Sequence, residues 1–311
     1  MSVREHQRHE LLRRLLRGES RERQVAGQLG LSCRQVRRLK QRVRQEGPKG
    51  VIHRSRGRPS NRRTEESVRR KVLDLYRDKY EHFNLSHYVE KLRDDEGIGI
   101  GLETARRFLL AEGLWQKRRE HPKHRLRRPR RERAGDLLQV DASIHPWLAF
   151  SGDERRYALL GAIDDATGRA WARFELGETR EGYFRLMEEV LRQGVPSELY
   201  SDKDTVFTMN AYQQEGALRR RGVSAQTQFE RAMHELGVRM ILANSPQAKG
   251  RIERFWKTCQ DRLYNDLRLE GIKTLSEANR YLHRVFLPAH NRRFTRPHLK
   301  PESSFRPTPL S

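Results

Sequence analysis

The chain has 311 residues and a formal charge of +24, from 65 Lys+Arg against 41 Asp+Glu, with only two cysteines. The length suits two or three domains, no apolar run reaches the roughly 18 residues of a membrane helix, and the isolated Cys33 and Cys259 exclude a disulfide framework or a cysteine-rich zinc site. The polar, arginine-rich N-terminus has no signal-peptide core and the chain has no GxxxxGK[ST] loop, so a cytoplasmic protein without ATP-driven chemistry or a membrane partner is expected.

The charge is unevenly divided. Residues 1–134 hold 38 Lys+Arg and 18 Asp+Glu, whereas the remaining 177 hold 27 and 23. An excess that large repels itself unless a polyanion neutralises it, which is the electrostatic footprint of nucleic-acid binding.

Residues 5–17 place Leu11, Leu12, Leu15 and Leu16 among arginines at helical spacing. Residues 23–29 put Val25, Ala26 and Leu29 on one side, and Gly30 and Leu31 break the chain. Ser32 with Gln35 then forms an S-x-x-Q capping box for a second helix. That helix buries Val36, Leu39 and Val43, is stopped by Gly47-Pro48, and shows Arg34, Arg37, Arg38, Gln41 and Arg44 on its outer face. The pattern predicts a helix-turn-helix domain over 1–47 whose second helix enters a major groove. A small helical hairpin with a solvated basic face is the plainer alternative.

Residues 48–63 form a basic linker containing Arg56-Gly57-Arg58-Pro59. Extended, it either inserts Arg56 and Arg58 into a narrow A·T minor groove or simply runs along DNA as a basic tether. Over 64–116, Thr64 caps a helix to about 79, Asn84 opens one through Leu85, Tyr88, Val89 and Leu92, and Gly97, Gly99 and Gly101 make a break. A helix over 102–112 follows, with Ala105, Phe108 and Leu109 inside and Arg106 and Arg107 outside, giving a second helix-turn-helix-like domain. Residues 117–134 are a nearly all-basic connector suited to phosphate contact, and His121 and His124 within it read as solvated.

The pattern changes at Gly135. A strand over 137–140 runs into Asp141, a second over 157–163 ends in Asp164-Asp165, and a third over 170–174 returns after Gly168, a β-meander. A helix over 181–193, a strand over 198–200 ending at Ser201-Asp202, a strand over 238–242 and a long helix over 250–267 complete a mixed five-stranded sheet flanked by helices. This α/β core spans 135–270, with a C-terminal helix and tail over 271–311.

Asp141, Asp202 and Glu253 stand at strand ends and in the first turns of the long helix, where the fold can gather them. Three clustered carboxylates need cations, and oxygen-only ligands select Mg²⁺ or Mn²⁺. Two such ions would clamp the attacking and leaving oxygens of a phosphodiester displacement. Asp136, Asp164, Asp165 and Asp204 compete for the same roles, because an Asp after a strand often serves a turn.

The surroundings of the three acids resemble the core shared by insertion-sequence transposases and retroviral integrases, the DDE recombinases. Leu138-Gln139-Val140-Asp141 looks like the first motif of that family and Leu199-Tyr200-Ser201-Asp202 like the second. The run from Ser245-Pro246 through Gly250 to Glu253-Arg254 is close to the third. The resemblance covers about residues 135–296, including Asn291-Arg292-Arg293-Phe294, and the preceding helix-turn-helix units match bacterial insertion-sequence transposases. It implies a ribonuclease-H-like core, with Asp141, Asp202 and Glu253 as catalytic residues holding two Mg²⁺ or Mn²⁺ ions. It also implies element ends and target DNA as double-stranded partners, and at least a dimer to pair two ends at the nucleoid. Lys249, Glu253 and Lys257 share one helix side, where the two lysines either contact DNA or form an ion-pair ladder. Phe255 and Trp256 read as core.

The sequence departs from the family pattern in four places. The interval from Asp202 to Glu253 is longer than in many relatives, attributed to an insertion around 215–229, and Asp204 stands where Gly is common. No His/Cys zinc module precedes the core, and no room is left for a C-terminal barrel before Ser311, so a truncated or inactive copy is in view. The reading is a DNA transposase that cleaves strands and transfers 3′-hydroxyls. A transposon-derived repressor without turnover is the first alternative and a junction-resolving nuclease the second.

Overall fold

Ser32 and Gln35 open a basic helix by satisfying each other's backbone: the Gln35 N–H donates to Ser32 Oγ at 3.3 Å and the Ser32 N–H donates to Gln35 Oε1 at 2.9 Å. In the computed structural model this helix, α3 (Cys33–Glu46), follows α1 (Val3–Leu16) and α2 (Glu22–Leu29). The α2–α3 turn rests on Gly30, whose φ of 64° is a left-handed conformation that costs glycine little. Leu12, Leu15, Val25, Val36 and Val43 form the core of the three helices. Val51 joins them from a 3₁₀ turn (Gly47–Val51), so the expected linker begins as part of this core.

The described residues are 1–57, 63–116, 129–202, 204–208, 226–242 and 249–309. They divide into two units, Met1–Glu66 and Ser67–Ser311. In the second unit, α4 (Glu66–Asp78), α5 (Leu85–Asp94) and α6 (Leu102–Ala111) pack around Val72, Tyr76, Tyr80, Tyr88, Leu92 and Leu109. Asn84 caps α5 by accepting the His87 N–H at 2.9 Å.

The sheet contains β1 (Leu138–His145), β2 (Tyr157–Asp164), β3 (Ala170–Glu175), β4 (Glu198–Ser201) and β5 (Arg239–Leu242), in the spatial order β3-β2-β1-β4-β5. The first three strands form the antiparallel meander and β1, β4 and β5 run parallel, which is the mixed five-stranded sheet of the expected ribonuclease-H-like core. Strand alternation separates two cores. Leu138, Val140, Ala158, Leu160 and Ala162 face α7 (Arg180–Leu191) and α8 (Gln228–Glu235). Leu159, Ile163, Ala172 and Phe174 face α9 (Gly250–Thr258) and the C-terminal helices.

Two local expectations are corrected, and the expected long helix over 250–267 is found with one irregular turn. Asp141 lies inside β1 rather than past its end, because antiparallel pairing with β2 carries β1 on to His145. The long helix continues from α9 through a π-helical turn (Cys259–Leu263) into α10 (Tyr264–Leu269). The segment read as an insertion ends in the helix α8, whose Phe229 and Met233 are buried against α7, so its last part belongs to the core. Helices α11 (Leu275–Tyr281) and α12 (Leu287–Phe294) close the fold, joined by a second π-helical turn.

The long helix also ties α5 to the core. Arg262 binds the Glu90 carboxylate through two bonds of 2.6 and 3.1 Å, and Asp266 lies 3.2 Å from His87 and 3.3 Å from Lys91.

Candidate active site

Two residues of strand advance about 6.6 Å and four residues of helix advance 6.0 Å, so a helix laid along a strand meets every second strand residue with every fourth of its own. Helix α9 and its continuation meet β1 in this way. Gln139 Oε1 accepts the Ile252 N–H at 3.2 Å, Asp141 Oδ2 accepts the Trp256 indole N–H at 2.9 Å, and Ser143 Oγ accepts from Gln260 Nε2 at 3.3 Å. Gln139 is itself held by buried Asp165, which accepts from Gln139 Nε2 at 3.0 Å and pairs with Arg251 at 2.9 Å.

The other oxygen of Asp141, Oδ1, lies 3.0 Å from Lys249 Nζ, and the same ammonium lies 3.0 Å from Asp202 Oδ2. Sheet register explains the meeting. Leu138 pairs with Leu199 and Gln139 with Tyr200 in parallel β1 and β4, so two further steps bring Asp141 level with Asp202. The Lys249 side chain is only 8% exposed, while that of Asp202 is 47% exposed.

Glu253 stands apart from this pair. It is half-buried on α9, and no group of three His, Cys, Asp or Glu able to hold a metal forms among the described residues. The Lys249 ammonium, expected either to contact DNA or to join an ion-pair ladder, turns inward to the aspartates.

The competing acids hold hydrogen bonds of their own. Asp204 accepts the Val206 N–H at 2.9 Å in the turn after Asp202, Asp164 binds Thr167, and Asp136 accepts from Ser304. A further acid, Glu178, was not singled out in the sequence. It accepts the Tyr183 hydroxyl at 2.6 Å, and burial followed by the nearby charges of Asp204, Asp202 and Asp141 raises its pKa. Its only sequence signal is an acid immediately before the Thr179 cap of α7.

A family model described as winged helix-turn helix matches residues 8–70. The chain is 38% identical over 313 residues to a Sinorhizobium fredii (strain NBRC 101917 / NGR234) protein named as a transposase, y4bF, across 100% of this chain and 66% of that one. It is 31% identical over 309 residues to the transposase for insertion sequence IS1202 of Streptococcus pneumoniae, across 88% of this chain and 64% of that one. The chain is thus similar to two transposases over most or all of its length. It spans just under two thirds of the length of those two relatives. Solved structures with some likeness include the HTLV-2 integrase catalytic core domain in complex with magnesium, 12% identical with a TM-score of 0.35 over 48% of this chain and 85% of that one. The catalytic core domain of BIV integrase is 16% identical, with a TM-score of 0.36 over 56% of this chain and 91% of that one.

The expected DNA-binding residues differ in how free they are. Arg34, Arg37, Arg38, Gln41 and Arg44 are all exposed on α3, and Arg37 is tied to Glu22 at 3.0 Å. Arg56 reaches back to Glu5 at 2.7 Å, so the carboxylate at the start of α1 supplies a counter-charge for it. Arg58 lies outside the described residues, as do Ser245 to Ala248 of the third motif, most of the basic connector and most of the expected insertion. Arg106 pairs with Glu103 at 2.7 Å, whereas Arg107 and Lys257 are exposed. No helix among the described residues is long and apolar enough to cross a membrane.

Proposed function

We propose that this chain is a DNA transposase that binds the ends of its mobile element and carries out metal-dependent strand cleavage and 3′-hydroxyl strand transfer at Asp141, Asp202 and Glu253. The observation that carries this reading is the convergence of Asp141 and Asp202 oxygens on one cationic centre, each 3.0 Å from Lys249 Nζ. The donors are oxygens alone, the set that suits Mg²⁺ or Mn²⁺, and the ammonium stands in for a cation between them. Asp141 and Asp202 would hold the ion, with Glu253 from the first turn of α9 as third ligand and a second ion in the same pocket of charge.

Bound there, divalent ions supply activation of water or a 3′-hydroxyl and stabilisation of the departing oxygen. The rest falls to the protein. Asp141 is aimed by Trp256, the start of α9 is anchored to β1 through Gln139, and the exposed arginines of α3 neutralise phosphates and read base edges. Cleavage and joining are both phosphoryl transfers, so no ATP is needed. Pairing two element ends requires at least a dimer on double-stranded DNA.

The test is single-turnover cleavage and strand joining on a labelled element end, with a gel shift on the same preparations. Asp141→Asn, Asp202→Asn and Glu253→Gln should each lower both reactions by at least about 10³, roughly 4 kcal/mol, and leave end binding intact. The losses should not multiply in the triple variant, because the three act as one unit. Binding without any joining by the unaltered chain would make it a repressor instead.

A further inference from the structure

We infer that Trp256 is a positioning residue that aims the Asp141 carboxylate at the metal, an inference that rests on the reading of Asp141 as a metal ligand. The two oxygens of Asp141 have different partners. Oδ2 accepts the Trp256 indole N–H at 2.9 Å, and Oδ1 faces the Lys249 ammonium at 3.0 Å. An indole N–H is a neutral donor that cannot accept or ionise, so it fixes one oxygen without competing for the ion at the other. Lys249 is the opposite kind of partner, a charge occupying the position an ion would take.

The strand opposite is shaped for this bond. Gly161 of β2 pairs directly with Asp141, and a Cβ at that position would overlap the Trp256 ring. Glycine inside a strand weakens it and marks a place where another group must approach closely. Here the gap admits the six-membered ring of the indole, whose N–H then reaches Asp141. Filling the core would need only an apolar ring; Phe255, the neighbouring residue in the same core, has no such bond to give. Outer-shell donors of this sort fix ligand orientation, and their removal typically weakens metal binding 10- to 100-fold.

The test is direct Mn²⁺ binding by the full chain, read by calorimetry, beside a thermal melt of each variant. Trp256→Phe keeps the ring and removes the donor; Gly161→Ala keeps the donor and displaces the ring. Both should bind Mn²⁺ at least about tenfold more weakly than the unaltered chain. Phe255→Leu, which loosens the same core without touching Asp141, should melt lower yet bind Mn²⁺ as the unaltered chain does. Should Trp256→Phe fail to fold, Gly161→Ala carries the test. Unchanged Mn²⁺ affinity in the folded variants would overturn the inference, as would an equal loss in Phe255→Leu, because the indole would then act through packing alone. If the unaltered chain and Asp141→Asn bound Mn²⁺ equally, the metal-site reading would fall and take this inference with it.

Discussion

Gln139 and Asp165, both wholly buried, share a 3.0 Å hydrogen bond that fastens the middle of the sheet to the first turn of α9. The other end of the Gln139 amide accepts the Ile252 N–H; the Asp165 oxygen that takes the Gln139 amide also takes the Arg251 guanidinium, and its other oxygen accepts the Arg131 N–H. The helix bearing Glu253 and Trp256 is thus registered against the strand bearing Asp141 by polar groups away from the carboxylates themselves. Asp165→Ala should lower stability by about 3–5 kcal/mol in urea unfolding, because it removes the buried counter-charge of Arg251. Asp165→Leu combined with Arg251→Met should recover part of that loss; a double variant no better than the single would locate the effect elsewhere.

Lys249 is expected to compete with divalent ions. Lys249→Met should lower the melting temperature of metal-free protein modestly, by about 1 kcal/mol in stability given the exposure of Asp202. The same variant should bind Mn²⁺ more tightly than the unaltered chain and gain more in melting temperature when Mn²⁺ is added. A smaller metal-induced gain than in the unaltered chain would count against the competition.

On α3, Arg34→Ala and Arg38→Ala should each cost about 1–3 kcal/mol on the specific site and less on random DNA. Arg37→Ala should cost least of the three, because Arg37 is already engaged with Glu22. With 6 to 10 phosphates contacted, affinity should fall roughly 10³ to 10⁵ between 50 and 200 mM salt. Quantitative gel shifts at those salt concentrations read both effects, and equal losses on specific and random DNA would make these arginines phosphate anchors.

His290 supplies a pH dependence. It is buried against the rings of Phe255, Phe286 and Phe294, and burial, aided by the Arg262 charge, pushes its pKa down to about 4. The unfolded chain takes up a proton near 6.5 that the folded chain refuses, so stability contributed above that pH is lost as pH falls from about 6.5 to 4. His290→Leu should remove this part of the dependence. The difference in unfolding free energy between the two proteins should then change by on the order of 3 kcal/mol between pH 7 and pH 4. A constant difference would mean that His290 is protonated in the folded state.

Whatever neighbouring residues decide among themselves could be read from the chain. The Ser32–Gln35 capping box, the Asn84 cap, the meander over Gly168 and the order of strands and helices were legible because capping and periodicity act within a few residues. The exposed arginines of α3 were legible for the same reason: Val36 and Val43 fix which face turns inward. Tertiary structure decided the rest. Lys249 and Trp256 find Asp141 across 108 and 115 positions, and neither residue type announces whether it will face DNA, solvent or a carboxylate. Their partners are set by the register of β1 with β4 and by the match between two strand residues and four helix residues along α9. Gly161 reads in sequence as a weak point in a strand, and only the ring lying against it gives the reason. Glu178 enters the neighbourhood of the aspartates because the turn after β3 ends there, and Glu253 stands outside the pair that Lys249 joins.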